Sequence, residues 1–194
     1  MKALFITLLT GLLSTGAIAK PATAPDTMHI LPVDNRCSLS AGNPVIDYGT
    51  QSRWQLEERK GGQQVSPGKR TATLSVVCPY TRAMTLTLRG DQASSGALRY
   101  GTQGSLVLRL ADASLDGQSV QLVRTTAEGV IKGTPAATLD LKPGNSFTVT
   151  SNQQQGRGKQ LTIRFEMEPL LPESAARVST LQQSEAVLTL ELTP

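Results

Sequence analysis

The chain has 194 residues, with 19 Lys and Arg against 15 Asp and Glu for a formal charge of +4, and aromatic residues make up only 4%. Both signs are scattered without a run of like charge, which reads as a solvated mixed surface and argues against a nucleic-acid footprint, where basic residues gather on one face. So few aromatics give no stacking platform for bases and little sign of a sugar-binding aromatic shelf.

The chain begins "MKALFITLLTGLLSTGAIA": a basic start at Lys2, an apolar stretch from Ala3 to Leu13, then the small pair Ala17 and Ala19. This is the three-part pattern of a secretory signal peptide over residues 1–19, with cleavage expected before Lys20. The apolar stretch is too short for a membrane span, which asks for roughly 20 residues. No later stretch is long and apolar enough to span either. Residues 20–33 form an N-terminal segment whose first part, "KPATAPDT", is proline-rich. Residues 34–194 have the length of one domain with a core of its own.

An exported chain meets an oxidising compartment, where two cysteines most often pair. Cys37 and Cys78 are the only two, forty-one positions apart. Free thiols or half of a metal site are the alternatives, but neither cysteine has a CxxC companion and the single histidine, His29, supplies no ligand spacing. A disulfide is expected, worth roughly 4 kcal/mol through the closed loop in the chain-entropy model.

Beyond Cys37 the sequence alternates with period two, as strands do when successive side chains face opposite sides of a sheet. "TLSVVC" aligns Leu74, Val76 and Cys78. In "MTLTLRG", Met84, Leu86 and Leu88 oppose Thr85, Thr87 and Arg89, so one face is expected buried and one wet. "SLVLRL", "SVQLV", "ATLDL" and "SFTVT" repeat the theme. In "QLTIRFEME", Leu161, Ile163, Phe165 and Met167 alternate with polar residues. Turns are expected at "SPGKR", "RGDQASSG", "ADASLDGQ", "KPGN" and "QQQGRGK". Residues 172–186 read as a loop or strand edge. Short strands with such punctuation indicate an all-β antiparallel sandwich or barrel. A complete immunoglobulin domain is disfavoured: its bridge encloses more sequence than this one, and Trp54 lies in the polar "SRWQLEERKGG" rather than near the first cysteine in a core.

Catalysis finds little support. His29 is the only histidine and lies near the N-terminus. There is no GxSxG elbow, HExxH pair or GxxxxGK[ST] phosphate loop. "QGRGK" at 155–159 has the wrong spacing and reads as a hairpin turn, and Glu57 with Glu58 read as part of a solvated loop. No catalytic, cofactor-binding or metal-ligating residue is assigned, and no cofactor is expected.

Several stretches in order carry a family resemblance. They are the exported start; "CSLSAGNPVIDYGT", a first cysteine leading to an apolar-Asp-aromatic-Gly step; "TATLSVVC"; "MTLTLRGD"; "GSLVLRLADASLDGQSVQL"; and the closing "RVSTLQQSEAVLTLELTP". Together these resemble the fimbrial (pilin) subunits of the bacterial chaperone/usher pathway over nearly the whole mature chain. The resemblance implies an incomplete immunoglobulin-like antiparallel β-sandwich that lacks its last strand, with one disulfide tying an early strand to its neighbour. It implies as partners a periplasmic chaperone that lends a strand, an outer-membrane usher, and a neighbouring subunit whose N-terminal extension later takes the strand's place. It places the chain in the periplasm and then at the cell surface.

On that reading Ala186, Leu188, Leu190 and Leu192 border the chaperone and donor-strand groove. Met28 and Ile30 are the candidate donor segment, within a stretch that reads equally as the domain's own first strand. Pro32 removes a backbone donor there, which suits a minor subunit. The chain also ends "ELTP", where the family commonly has an aromatic residue. A tip adhesin binding a host-surface receptor is the other reading of the same pattern.

Overall fold

The structure, a computed structural model, describes residues 36–59, 61–152 and 154–193. The expected signal peptide, the segment 20–33 with Met28, His29 and Ile30, and Pro32 lie outside the described residues. Among the described residues the regular structure is all strand, with two single-turn 3-10 segments at Arg53–Gln55 and Glu173–Ala176. In chain order the strands are β1 (Ser38–Ala41), β2 (Glu57–Arg59), β3 (Gln64–Ser66), β4 (Arg70–Ala83) and β5 (Leu86–Gly90). Next come β6 (Leu98–Tyr100), β7 (Gly104–Leu115), β8 (Gln118–Ser119), β9 (Gln121–Thr125) and β10 (Ile131–Ala136). The last five are β11 (Leu139–Leu141), β12 (Ser146–Ser151), β13 (Gln154–Gln155), β14 (Arg157–Pro172) and β15 (Leu188–Leu192).

These strands form two antiparallel sheets with a shared core. The first runs β1-β4-β14-β7, with β6, β11 and β8 on the far edge of β7 and the β2-β3 hairpin added at the end of β14. The second runs β15-β5-β12-β9-β10, with β13 folded back on β12. The alternation read in the sequence generates the interior. Leu74, Val76 and Cys78 of β4, Leu161, Ile163 and Phe165 of β14, and Leu106, Leu108 and Leu110 of β7 line one side. Leu86, Leu88, Leu122, Phe147 and Val149 meet them from the other sheet. Fully burying side chains of this size contributes about 1.5–3 kcal/mol each, which is the main force holding the sheets together.

Cys37 and Cys78 are joined, with Cα atoms 4.1 Å apart. Since Ser38 faces Val77, the bridge crosses directly between the start of β1 and β4. All four β1 residues are exposed, so this strand buries almost nothing of its own and is held by its ladder and by the sulfur link.

Four sequence expectations are corrected. "ADASLDGQ" is largely strand: β7 continues to Leu115, and the turn itself is only Asp116–Gly117, both at positive φ, as a two-residue Asp-Gly hairpin requires. What interrupts the alternation is a bulge, where Asp112 (φ 48°) is the extra residue opposite β14. It shifts the inward row from Leu106, Leu108 and Leu110 to Ala113 and Leu115, and the Asp112 carboxylate pairs with Arg164 at 2.6 Å.

Thr85 and Thr87, expected on a wet face, are buried. They share their side of the second sheet with Ser146, Thr148 and Thr150, also buried. Burial is tolerated because the hydroxyls find partners: Thr87 and Ser146 lie 2.7 Å apart, and Thr148 donates to the Met84 carbonyl at 2.8 Å. "QGRGK" is the end of β13 and the start of β14, not a turn. Glu57 and Glu58 are in β2, not a loop. Glu57 pairs with Arg59 and Glu58 with Arg53, while Arg59 also holds Glu168 at 2.7 Å.

Replacing both Cys37 and Cys78 by alanine is expected to lower unfolding stability by about 4 kcal/mol, measured by urea denaturation against the oxidised chain.

Candidate functional site

Three connections fix how the two sheets stack. β4 passes into β5 through Met84 and Thr85, β7 reaches β9 through β8, and β12 reaches β14 through β13. β4 therefore faces β5, β14 faces β12, and β7 faces β9. The strands left over at the remaining side are β1 and β15, the outermost member of each sheet.

β15 pairs antiparallel with β5 alone, through Leu188–Gly90, Thr189–Arg89, Leu190–Leu88, Glu191–Thr87 and Leu192–Leu86. Its other edge has no strand partner among the described residues. Alternation sends Leu188, Leu190 and Leu192 inward and leaves Thr189 and Glu191 exposed. Glu191 forms a surface pair with Arg89 at 2.9 Å. The inward leucines pack on the core but remain partly exposed, whereas Leu86 and Leu88, their neighbours across the ladder, are 0% exposed. The difference is a strand of cover that the described residues do not supply on that side. Of the groove residues expected from the sequence, Leu188, Leu190 and Leu192 thus form one row. Ala186 precedes β15 and is half-buried against the same core.

Both ends of β15 are fixed. At the start, Gly90 approaches so closely that a Cβ there would lie 2.9 Å from the Val187 carbonyl oxygen and 2.5 Å from Leu98 Cδ2. At the finish, Thr193 N donates to the Thr85 carbonyl at 2.9 Å, and Arg82 Nη2 donates to the Thr193 carbonyl at 3.0 Å.

In the first sheet, the chain following β1 is irregular. Gly42 N still bonds to the Thr73 carbonyl at 2.8 Å, after which no regular element forms until Arg53, and Val45 is 82% exposed. The apolar-Asp-aromatic-Gly step ends this stretch. Gly49 N donates to Asp47 Oδ1 at 2.8 Å, and Tyr48 donates its hydroxyl to the Met167 carbonyl of β14 at 3.1 Å. The Arg70 guanidinium lies 5.7 Å from the Tyr48 ring centre. Burial, with smaller help from Tyr100, pushes the Tyr48 phenol up to about 12 against the pull of Arg70. Sequence reading singled out this step but gave it no structural role, because its anchor lies in a strand 119 positions later.

Such an edge can accept an extended segment. Its backbone would extend the second sheet, and its alternate apolar side chains would cover the leucine row. Completing the burial of three partly covered leucines contributes on the order of 3 kcal/mol. Each ladder hydrogen bond adds about 0.5–1.5 kcal/mol net. Among the described residues no group of His, Cys, Asp and Glu is placed to hold a metal ion, and no helix is long and apolar enough to cross a membrane.

No protein-family model matches the chain. It is similar to the uncharacterized protein YhcE of Escherichia coli (strain K12), 25% identical over 137 residues that cover 69% of this chain and 75% of that one. Among solved structures it is similar to the P pilus rod subunit PapA, at 17% identity and a TM-score of 0.39, over 81% of this chain and 97% of that chain.

Tyr48 gives the site a pH signature. An unfolded tyrosine ionises near pH 10 and the folded one near 12, so its contribution is intact below pH 10 and is lost as pH rises from 10 to about 12. Denaturation curves across that window are expected to show a steeper loss for the native chain than for Tyr48→Phe, which carries no titrating phenol.

Proposed function

We propose that the chain is a structural subunit of a bacterial surface fibre, built by strand addition in the manner of the chaperone/usher pathway. The observation that carries this reading is the edge of β15 that no described strand pairs with, and its partly covered leucine row. A chain exported in this state exposes an unpaired strand edge, a hazard that proteins normally cover. A periplasmic chaperone covers it first, and a neighbouring subunit takes over at the outer-membrane usher.

In this reading residues 1–19 direct export and residues 20–33 supply the donor strand to the next copy, with Met28 and Ile30 as its apolar positions. Pro32 costs that strand one ladder hydrogen bond, which fits a minor component rather than the bulk of the fibre. The bridge between Cys37 and Cys78 forms in the periplasm and holds the exposed β1 in place while the groove is vacant.

The test is purification of the native chain from a periplasm that contains its chaperone. A stable one-to-one complex is expected, and Leu190→Arg should weaken it at least tenfold by placing a charge in the row that the lent strand must cover. A native chain that stays monomeric and fully stable with no chaperone present would overturn the reading.

A further inference from the structure

A second recess lies at the end of the two sheets where β4 hands over to β5 and β13 to β14, with residues of both sheets in its walls. It is a cleft of about 240 Å³. Its polar walls are Arg82, Arg157, Glu128, Gln155, Thr85 and Thr193. Thr85 points away from the leucine row by strand alternation, so the cleft is separate from that row.

The cations in it are unequally employed. Arg82 spends Nε on the Ala83 carbonyl at 3.2 Å and Nη2 on the Thr193 carbonyl at 3.0 Å, which fixes its guanidinium. The Arg157 side chain makes no hydrogen bond or ion pair among the described residues, although its backbone is registered with Ala83 in the β14–β4 ladder. Glu128 is held below the usual carboxylate range, chiefly by the Thr126 hydroxyl, and so is ionised at neutral pH. The Gln155 amide reaches Thr85 Oγ1 and Thr148 Oγ1 only at 3.4 and 3.5 Å, long contacts that are easily exchanged for better ones. Gly129 closes the recess. At φ 85° it brings the loop so near that a Cβ would lie 3.2 Å from Thr85 Oγ1.

Two guanidinium groups against one carboxylate leave a net positive site, and an unpaired guanidinium is a fork for a carboxylate. Glu128, Gln155 and the two threonine hydroxyls are then left to bond with ligand hydroxyl groups. The volume is smaller than the 300–1,000 Å³ of clefts for drug-sized ligands, so one small unit fits. We propose that this cleft binds a polyhydroxy carboxylate the size of a single sugar unit, a uronic acid, with Arg157 taking the carboxylate and Glu128 the hydroxyls. Ion pairing here does what aromatic stacking does in other sugar sites, in a chain with few aromatics to spend. The inference goes beyond the subunit reading and does not depend on strand addition.

The experiment is calorimetric titration of the native chain, purified from the periplasm, with methyl glucuronide, methyl glucoside, acetate and inorganic phosphate. Saturable binding is expected for the glucuronide, with the glucoside and acetate each at least tenfold weaker and phosphate unable to displace it. Arg157→Gln should weaken glucuronide binding about ten- to hundredfold, the worth of one charged hydrogen-bonding group, and Arg157→Lys should recover part of it. Glu128→Gln should narrow the preference for glucuronide over acetate. Thermal melts of the two Arg157 variants are expected to match the native chain, since the Arg157 side chain is not used in the fold. No saturable binding, equal binding of glucoside and glucuronide, tighter binding of acetate or phosphate, or an Arg157→Gln variant with native affinity would each overturn the proposal.

Discussion

A β-strand has two edges, and among the described residues β15 bonds through only one of them. The rest of the molecule is arranged around that shortfall. On its inner face three leucines meet a core that covers their ladder neighbours fully and leaves them partly exposed. On its outer face lies a surface pair between Glu191 and Arg89, the kind of contact that contributes about 0–1 kcal/mol. The strand is held less by what it buries than by its ladder with β5, its close approach to Gly90 and the Arg82 hydrogen bond beyond its end. Such a strand is ordered enough to serve as a template, and it still has much to gain from a partner.

The first sheet shows the same economy at its own border. β1 is short and wholly exposed, too small to hold by burial. The disulfide compensates by acting on the unfolded chain, whose freedom it restricts, and so requires no apolar surface that an open groove could not supply. Further along, Tyr48 performs a related task without covalent chemistry, fastening an irregular stretch to the Met167 carbonyl of β14. Covalent and hydrogen-bonded anchors therefore stand where the hydrophobic contribution is thin.

Much of this architecture was legible in the sequence wherever one periodic signal ran undisturbed. The rows Leu74-Val76-Cys78, Leu161-Ile163-Phe165 and Leu188-Leu190-Leu192 announce their strands because period two is the direct imprint of a pleated backbone. Legibility failed where a local signal had two meanings. The run "ADAS" breaks the alternation as a turn would, but Asp112 is a bulge whose carboxylate is met by an arginine 52 positions away, a partner that no window around it reveals. Threonines at 85 and 87 look solvent-facing because the hydroxyl is polar, and they are buried because Ser146, Thr148 and a folded-over loop lie against them. The leucine row itself was visible, whereas its lack of cover is a property of strand order and appears only once the sheets are stacked.

The position of the sulfur link also has a mechanical consequence. A pull applied to the backbone ahead of Cys37 does not have to travel along β1, because the bridge carries it across to Cys78 and into the fourteen-residue strand β4, which is bonded along most of its length to β14. The four residues of β1 fall inside the covalent ring and are spared the tension. Peeling the weakest ladder, normally the first event when a sheet is loaded from its border, is bypassed by two atoms of sulfur.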